Sequence, residues 1–477
     1  ELVVALDEKR ALSLPANELW AHAAAGDFPG AVPPTAKEVS VTLSVDGDFA
    51  GIDKRFAFGG ASAARRFTTG TYARPGAVVT VTVSTNGIGK GIRALVGAHT
   101  DSLWGKDSWS RMPRITRAWP LTSAKNAVGN VFGGPIYIAV PAGAKLGNVS
   151  VTIDGGVAAP RYVQGKTTPN QWDTSRNAPG PWAEIESKWM VLTVPSSTVR
   201  KLTNPQGVTA LWDEVMAASY DLAALPNGRA RGERAVADRQ ISAGSLHSGY
   251  PIMGHLHHAA GWLDVAGIKK GGNWGMFHEI GHNFQWHPWV IPKTTEVTVN
   301  LWSVHSCEKI VGKTGKCHGN AYPPKSDELV ADFIKKGATY NAWSTWGALQ
   351  MYLQLAQGFG WEAYKKLHKM YYEVAAKDSA NTDSLRHDRY CERFSAVTGR
   401  NLAKFFDAWS MPITDAGCRN KVAKYPPWLA DPMRTWLPYQ AEVKNVAPSN
   451  VTKNSAKARW QVVDPGGKGA TLTLYWG

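Results

Sequence analysis

The stretch from Gly271 to Asn300, GGNWGMFHEIGHNFQWHPWVIPKTTEVTVN, constrains this chain more than any other. His278, Glu279 and His282 read H-E-x-x-H, and on a helix two residues four apart lie one turn above each other on the same face. Two converging imidazoles suit a single zinc ion, and a Glu between them can deprotonate the water that attacks a substrate. A solvated polar patch is the competing reading, but Trp274, Met276, Phe277, Ile280, Phe284, Trp286 and Trp289 surround the motif with apolar bulk. A buried helix is therefore expected, in which the imidazoles and carboxylate need partners that a metal ion supplies.

A third ligand must come from elsewhere. The continuation H-E-x-x-H-x-x-G-x-x-H requires Gly and His where this chain has Gln285 and Pro288, and His287 misses the register by one residue. Glu296 follows after a connection, Asn283 to Thr295, that can turn back, so it is the expected ligand. Glu308 is the fallback, in a lysine-rich, loop-like segment beside Cys307. Val297, Val299 and Leu301 alternate with Thr298 and Asn300, a period that favours a strand. A helix is nevertheless expected after Glu296, because local propensity is weak beside tertiary context.

Taken in order, the chain changes period. It begins at Glu1 rather than Met, which suggests a trimmed chain from which a signal peptide has been removed. Residues 1–35 form an N-terminal helical segment with a helix over Leu14 to Ala25. Residues 36–158 carry short alternating runs, such as Val39 to Leu43, Val78 to Val83, Ile136 to Val140 and Val149 to Ile153, punctuated by Gly and Pro. That pattern predicts a β-sandwich. Residues 159–425 turn helical, with helices expected at Thr209 to Leu225, Ser326 to Lys336, Trp343 to Gln357, Trp361 to Ala376 and Leu402 to Trp409. A strand-rich tail, 426–477, closes an α+β multidomain chain.

The four cysteines are an even set, with Cys307–Cys317 and Cys391–Cys418 as the pairs that spacing suggests. With the possible sequons at Asn148 and Asn450 they point to a secreted or cell-surface protein, extracellular or periplasmic. The net charge of +15 raises an anionic partner, but the basic residues are scattered and no nucleic-acid module is legible. No apolar run is long enough to span a membrane.

The run His278 to Asn283 followed by Glu296 to Asn300 resembles the enhancin-like zinc metallopeptidases, peptidase family M-sixty. So do Thr69 to Tyr72 with Pro75-Gly76, Gly134 to Ile138, Pro179 to Glu184, Gln240 to Gly244, His247 to Ile252 and Gly358 to Trp361, a likeness covering about Phe67 to Asp415. The resemblance implies a mainly helical gluzincin domain behind a β-sandwich. It implies hydrolysis of mucin-type O-glycoproteins next to a glycosylated Ser or Thr, with one Zn2+ on His278, His282 and Glu296 and with Glu279 as general base. The family also contains relatives that have lost the metal motif and serve as interaction proteins.

For substrate contact and oxyanion stabilisation the candidates are Trp274, Tyr250, Asn273 and His247, with His255, His257, His258, His287 and His305 as further possible donors. The run Gly271 to Gly275 could form an extended edge for substrate pairing. A monomer is expected. The alternatives are a carbohydrate-binding or scaffold protein with a vestigial metal site, which the 21 tryptophans would suit, and a peptidase indifferent to glycans.

Overall fold

The computed structural model describes residues 2–56, 58–312, 317–373, 382–437, 439–440, 442–449, 452, 457–464 and 466. The chain falls into two compact units, the first made of Glu1–Tyr220, Leu225–Gln285 and Ser306–Cys317, the second of Asp221–Ala224, Trp286–His305 and His318–Gly477.

The first unit opens with helix α1 (Leu2–Ser13). The helix expected over Leu14 to Ala25 is absent; that stretch holds two 3-10 turns, because Pro15 takes an extended conformation (φ −63°, ψ 157°) and ends the helix before it. Eight strands follow: β1 (Glu38–Phe49), β2 (Arg65–Ala73), β3 (Val78–Val83), β4 (Arg93–Val96), β5 (Arg117–Pro120), β6 (Lys125–Gly129), β7 (Gly134–Val140) and β8 (Ala144–Ala158). The four expected runs all lie in strands. These strands are hydrogen-bonded into one antiparallel sheet, β5-β4-β7-β2-β8-β3-β6 with β1 on β8, where two separate sheets were expected. The reason is β8. Its fifteen residues pair with β3 through Asp154 and then with β2 at Val157 and Ala158, changing partner at Gly155, whose φ of +91° only glycine adopts readily.

A second sheet lies downstream, and it departs from the expectation of a mainly helical domain. Strand β9 (Arg161–Val163), helix α2 (Pro169–Ser175), strands β10 (Trp182–Glu186) and β11 (Met190–Pro195), and helices α3 (Ser196–Val199) and α4 (Pro205–Leu222) lead to β12 (Glu233–Asp238), β13 (Leu246–His247) and β14 (Ile252–His255). The sheet order is β13-β14-β12-β11-β10-β9, with β11, β12 and β14 parallel and β13 an antiparallel edge. Strand β12 hides in the sequence because Glu233, Arg234 and Asp238 give it the look of a surface loop. All three are buried and paired, with Arg229, Glu184 and Arg111 respectively. Helices α5 (His258–Leu263), α6 (Val265–Gly271) and α7 (Trp274–Phe284) complete the run to the motif.

Helix α8 (Thr295–Ile310) follows the motif, then α9 (Lys325–Lys335), α10 (Thr345–Glu373), α11 (Asp383–Thr398), α12 (Ala403–Ala408) and α13 (Asn420–Val422). Two expected helices merge in α10 and are separated by a kink at Gly360 (φ +74°). In the second unit Trp289 and Trp302 stack 5.4 Å apart and both rings meet His368, whose Nδ1 lies 2.6 Å from the Leu222 carbonyl. The tail forms a hairpin of β15 (Glu442–Ser449) and β16 (Lys457–Asp464); the remainder of the expected strand-rich tail, the sequon at Asn450 and the end of the helix expected to reach Ala376 lie outside the described residues. Disulfides join Cys307 to Cys317 and Cys391 to Cys418, as the spacing suggested.

Candidate metal centre

Helix α7 starts where Gly272, at φ +73°, closes α6 and Asn273 accepts a hydrogen bond from the Met276 N–H at 3.2 Å. The extended edge expected over Gly271 to Gly275 is therefore a helix boundary, and the Asn273 side chain is a cap. A Cβ on Gly272 would lie 2.3 Å from Cys317 Sγ, so only glycine fits this junction. From there Met276, Phe277, Ile280 and Phe284 are sealed into the interior, with Glu279 and His282 buried beside them and His278 partly exposed.

The two motif histidines meet edge to face, ring centroids 4.7 Å apart, and Phe58 packs edge-on against His282 at 5.2 Å. Glu296 sits in the first turn of α8, so the alternating apolar residues after it belong to a helix; Val297, Val299 and Leu301 are all buried there, and burial on more than one face overrides the strand period. One ligand atom from each of His278, His282 and Glu296 lies within 4.8 Å of the others. Glu308 is on α8 as well, in a helix where a loop was expected, and is not part of this group.

The donor set suits zinc. His282 Nδ1 lies 2.7 Å from Gln285 Oε1, and an amide oxygen can only accept, so the proton sits on Nδ1 and leaves the Nε2 lone pair for a metal. Gln285 entered the sequence reading only as a residue breaking a different motif; its place three residues after His282, just past the end of the helix, was the available signal. Asn283 was also missed. Fully buried, its amide donates to Glu233 (2.8 Å) and to the Gly249 carbonyl (2.9 Å) and its oxygen accepts from the Gly249 N–H (2.9 Å). The Asn283 carbonyl accepts from Arg229 Nη1 at 2.8 Å, so the end of α7 is fastened to β12 and to the turn after β13.

The remaining candidates separate. Trp274 opens α7 with part of its ring exposed. The Tyr250 hydroxyl accepts from the Arg66 N–H at 3.2 Å. Burial pushes its phenol up, but Arg234, Arg231 and Arg66 outweigh burial and hold it below the usual tyrosine range. His247 is paired with Asp101 at 2.7 Å. Burial lowers its pKa, and the Asp101 hydrogen bond and charge, the Ser248 carbonyl and the Glu279 charge together raise it above the usual value. His287 is exposed in a 3-10 turn, and His305 is buried edge-on to Trp361. His255, His257 and His258 lie together at the end of β14. A cavity of about 1580 Å3 is lined by residues of β1, β2, β8, β9, β10 and α2 and includes no residue of α7.

The sequence model described as Peptidase M60, enhancin and enhancin-like matches residues 155–410, and that of the N-terminal domain of M60-like peptidases matches 35–154. The chain belongs to the Peptidase M60 family. Within it, the chain is similar to a TRPM8 channel-associated factor homolog from Xenopus laevis, 37% identical over 404 residues that cover 84% of this chain and 43% of the relative. The chain spans about two fifths of the length of the curated relatives it matches. Its fold is similar to the ZmpB metallopeptidase of Clostridium perfringens (TM-score 0.63, 15% identity, 88% of each chain). It is similar also to the M60 catalytic domain of Clostridium perfringens ZmpC in complex with the sialyl T antigen (TM-score 0.60, 14% identity, 88% of each chain). A mostly sheet N-terminal domain followed by a helix-rich M60 domain is the arrangement of this chain. Among the described residues no helix is long and apolar enough to cross a membrane.

Proposed function

We propose that this chain is a zinc-dependent metalloendopeptidase that hydrolyses O-glycosylated, mucin-like proteins next to a Ser or Thr carrying the glycan. The observation that carries the reading is the convergence of His278, His282 and Glu296 ligand atoms within 4.8 Å, with Glu279 buried between the two histidines on α7. Family membership supports peptidase chemistry, and the sialyl T antigen bound by the ZmpC domain supports a glycosylated substrate.

In this reading His278, His282 and Glu296 hold one zinc ion, which when bound supplies a Lewis acid for the scissile carbonyl and for water. Glu279 takes the proton from water as it attacks the carbonyl and passes it to the leaving amine. Its burial keeps bulk water from competing for that proton. Gln285 fixes the tautomer and orientation of His282. Trp274, half-buried at the start of α7, offers the open part of its ring to a sugar or peptide. The proposed organisation places a mostly sheet domain at 36–158 ahead of a gluzincin domain at 159–425, with 1–35 and 426–477 flanking them, in a secreted or cell-surface monomer.

A second reading has its own support: the curated relatives are named for association with a channel, which favours an interaction protein. Digestion of an O-glycosylated peptide and its unglycosylated twin by wild type and Glu279→Ala, with zinc measured on both proteins, separates the two. Cleavage of the glycosylated peptide alone, by wild type alone, is expected. A zinc-free wild type that cuts neither peptide would sink the peptidase reading.

A further inference from the structure

The cavity of about 1580 Å3 lies within the first unit and exceeds the roughly 300–1,000 Å3 that holds a drug-sized ligand. Its lining divides by chemistry. Side chains alternate along a strand, so Val41 and Leu43 share one face of β1, and Arg65 and Phe67 share one face of β2. Val41, Leu43 and Phe67, with Val163 of β9, are half-buried and give the cavity an apolar surface.

The polar part of the lining carries little net charge. Arg65 Nη1 pairs with Asp46 at 2.9 Å, and its guanidinium lies over the Phe67 ring at 4.7 Å; Arg161 Nη2 pairs with Glu186 at 2.8 Å. The remaining charge in the lining is Lys166, which is exposed. Amides and hydroxyls make up the rest. The side chains of Asn148 on β8 and Asn170 on α2 are exposed and make no hydrogen bond among the described residues. Each therefore offers two N–H donors and a carbonyl acceptor to an occupant.

These groups select one class of ligand. A phosphate or sulfate group requires cations that are not already paired, and an extended peptide requires free backbone to pair with. The Val163 N–H is already bonded to Thr167 Oγ1 at 2.9 Å. A sugar ring requires what is present: apolar surface for its C–H bonds, and amides that both donate and accept for its hydroxyls. We propose that this cavity binds an oligosaccharide, with the Asn148 and Asn170 amides holding its hydroxyls. No residue of α7 or α8 lines it, so the assignment goes beyond the peptidase reading and does not depend on it.

Titration by saturation-transfer NMR, with oligosaccharides released from a gastric mucin as the probe, tests the assignment on the full chain. The protein is made in bacteria, so that the possible sequon at Asn148 stays bare. Wild type is expected to saturate the sugar protons. Asn148→Ala combined with Asn170→Ala removes two exposed amides and should weaken binding about tenfold, with the unfolding midpoint and zinc content unchanged. A wild type that binds no sugar, or a double variant that binds as well as wild type, overturns the proposal. Binding lost instead in His278→Ala would put the sugar at the metal centre and overturn it. An unglycosylated peptide that binds wild type but not the double variant would make the cavity a peptide site and overturn it too. A wild type without turnover that still binds the sugars through Asn148 and Asn170 would discard the peptidase reading and keep this site.

Discussion

Asn283 stands one residue beyond the metal motif, and replacing it should show how much of the site's rigidity lies outside the ligands. Asn283→Ala removes three side-chain hydrogen bonds, to Glu233 and to both backbone groups of Gly249. Each is worth about 1 kcal/mol net; the bond to the Glu233 carboxylate would be worth more, but Arg229 stays paired with that carboxylate and limits its loss. The expected loss is therefore about 3 kcal/mol, a large fraction of the roughly 5–15 kcal/mol that holds a domain folded. Equilibrium unfolding in urea, followed by tryptophan fluorescence, measures it. Asn283→Asp should be worse than Ala, since it sets a second carboxylate against buried Glu233 where an amide now donates. A loss below about 1 kcal/mol, or an Asp variant as stable as Ala, would refute the account of how α7 is fastened.

Two further outcomes follow from groups away from the site. His99 and His368 are fully buried, and burial lowers both to about 4. A base whose folded pKa lies below its unfolded value near 6.5 contributes full stability above 6.5, and that stability is lost as pH falls from 6.5 to about 4; each histidine should cost about 3 kcal/mol over that window. Urea midpoints at pH 7.5 and 4.5 check this, and His368→Gln should flatten the slope. The two disulfides close chain separations of 10 and 27 residues, so chain entropy assigns them about 2.7 and 3.5 kcal/mol respectively. Cys391→Ser with Cys418→Ser should lower the unfolding midpoint more than the pair Cys307→Ser and Cys317→Ser; the reverse order would show that strain or residual structure outweighs loop entropy.

The His278, His282 and Glu296 group was legible because its geometry is local. Four-residue spacing puts His278 and His282 on one helix face, and the connection to Glu296 is short enough to return. The sheet of the first unit was legible strand by strand from period-2 runs, but its continuity was not, since nothing in the β8 sequence says that Gly155 changes its hydrogen-bonding partner from β3 to β2. Period failed at α8, where burial of Val297, Val299 and Leu301 on several sides mimics an alternating strand. Composition failed at β12, whose charges are neutralised by partners in other elements.

The sequence by itself determined the identity of the motif, the likeness to a family and the order of sheet-rich and helix-rich segments, because these depend on residue type and short-range spacing. Tertiary structure decided which polar residues act on the motif. Gln285 sets the His282 tautomer and Asn283 ties α7 to the turn after β13, through hydrogen bonds whose partners, Gln285 apart, are tens of residues away in the chain. A hydrogen bond is specified by position and direction in space, and chain separation carries neither.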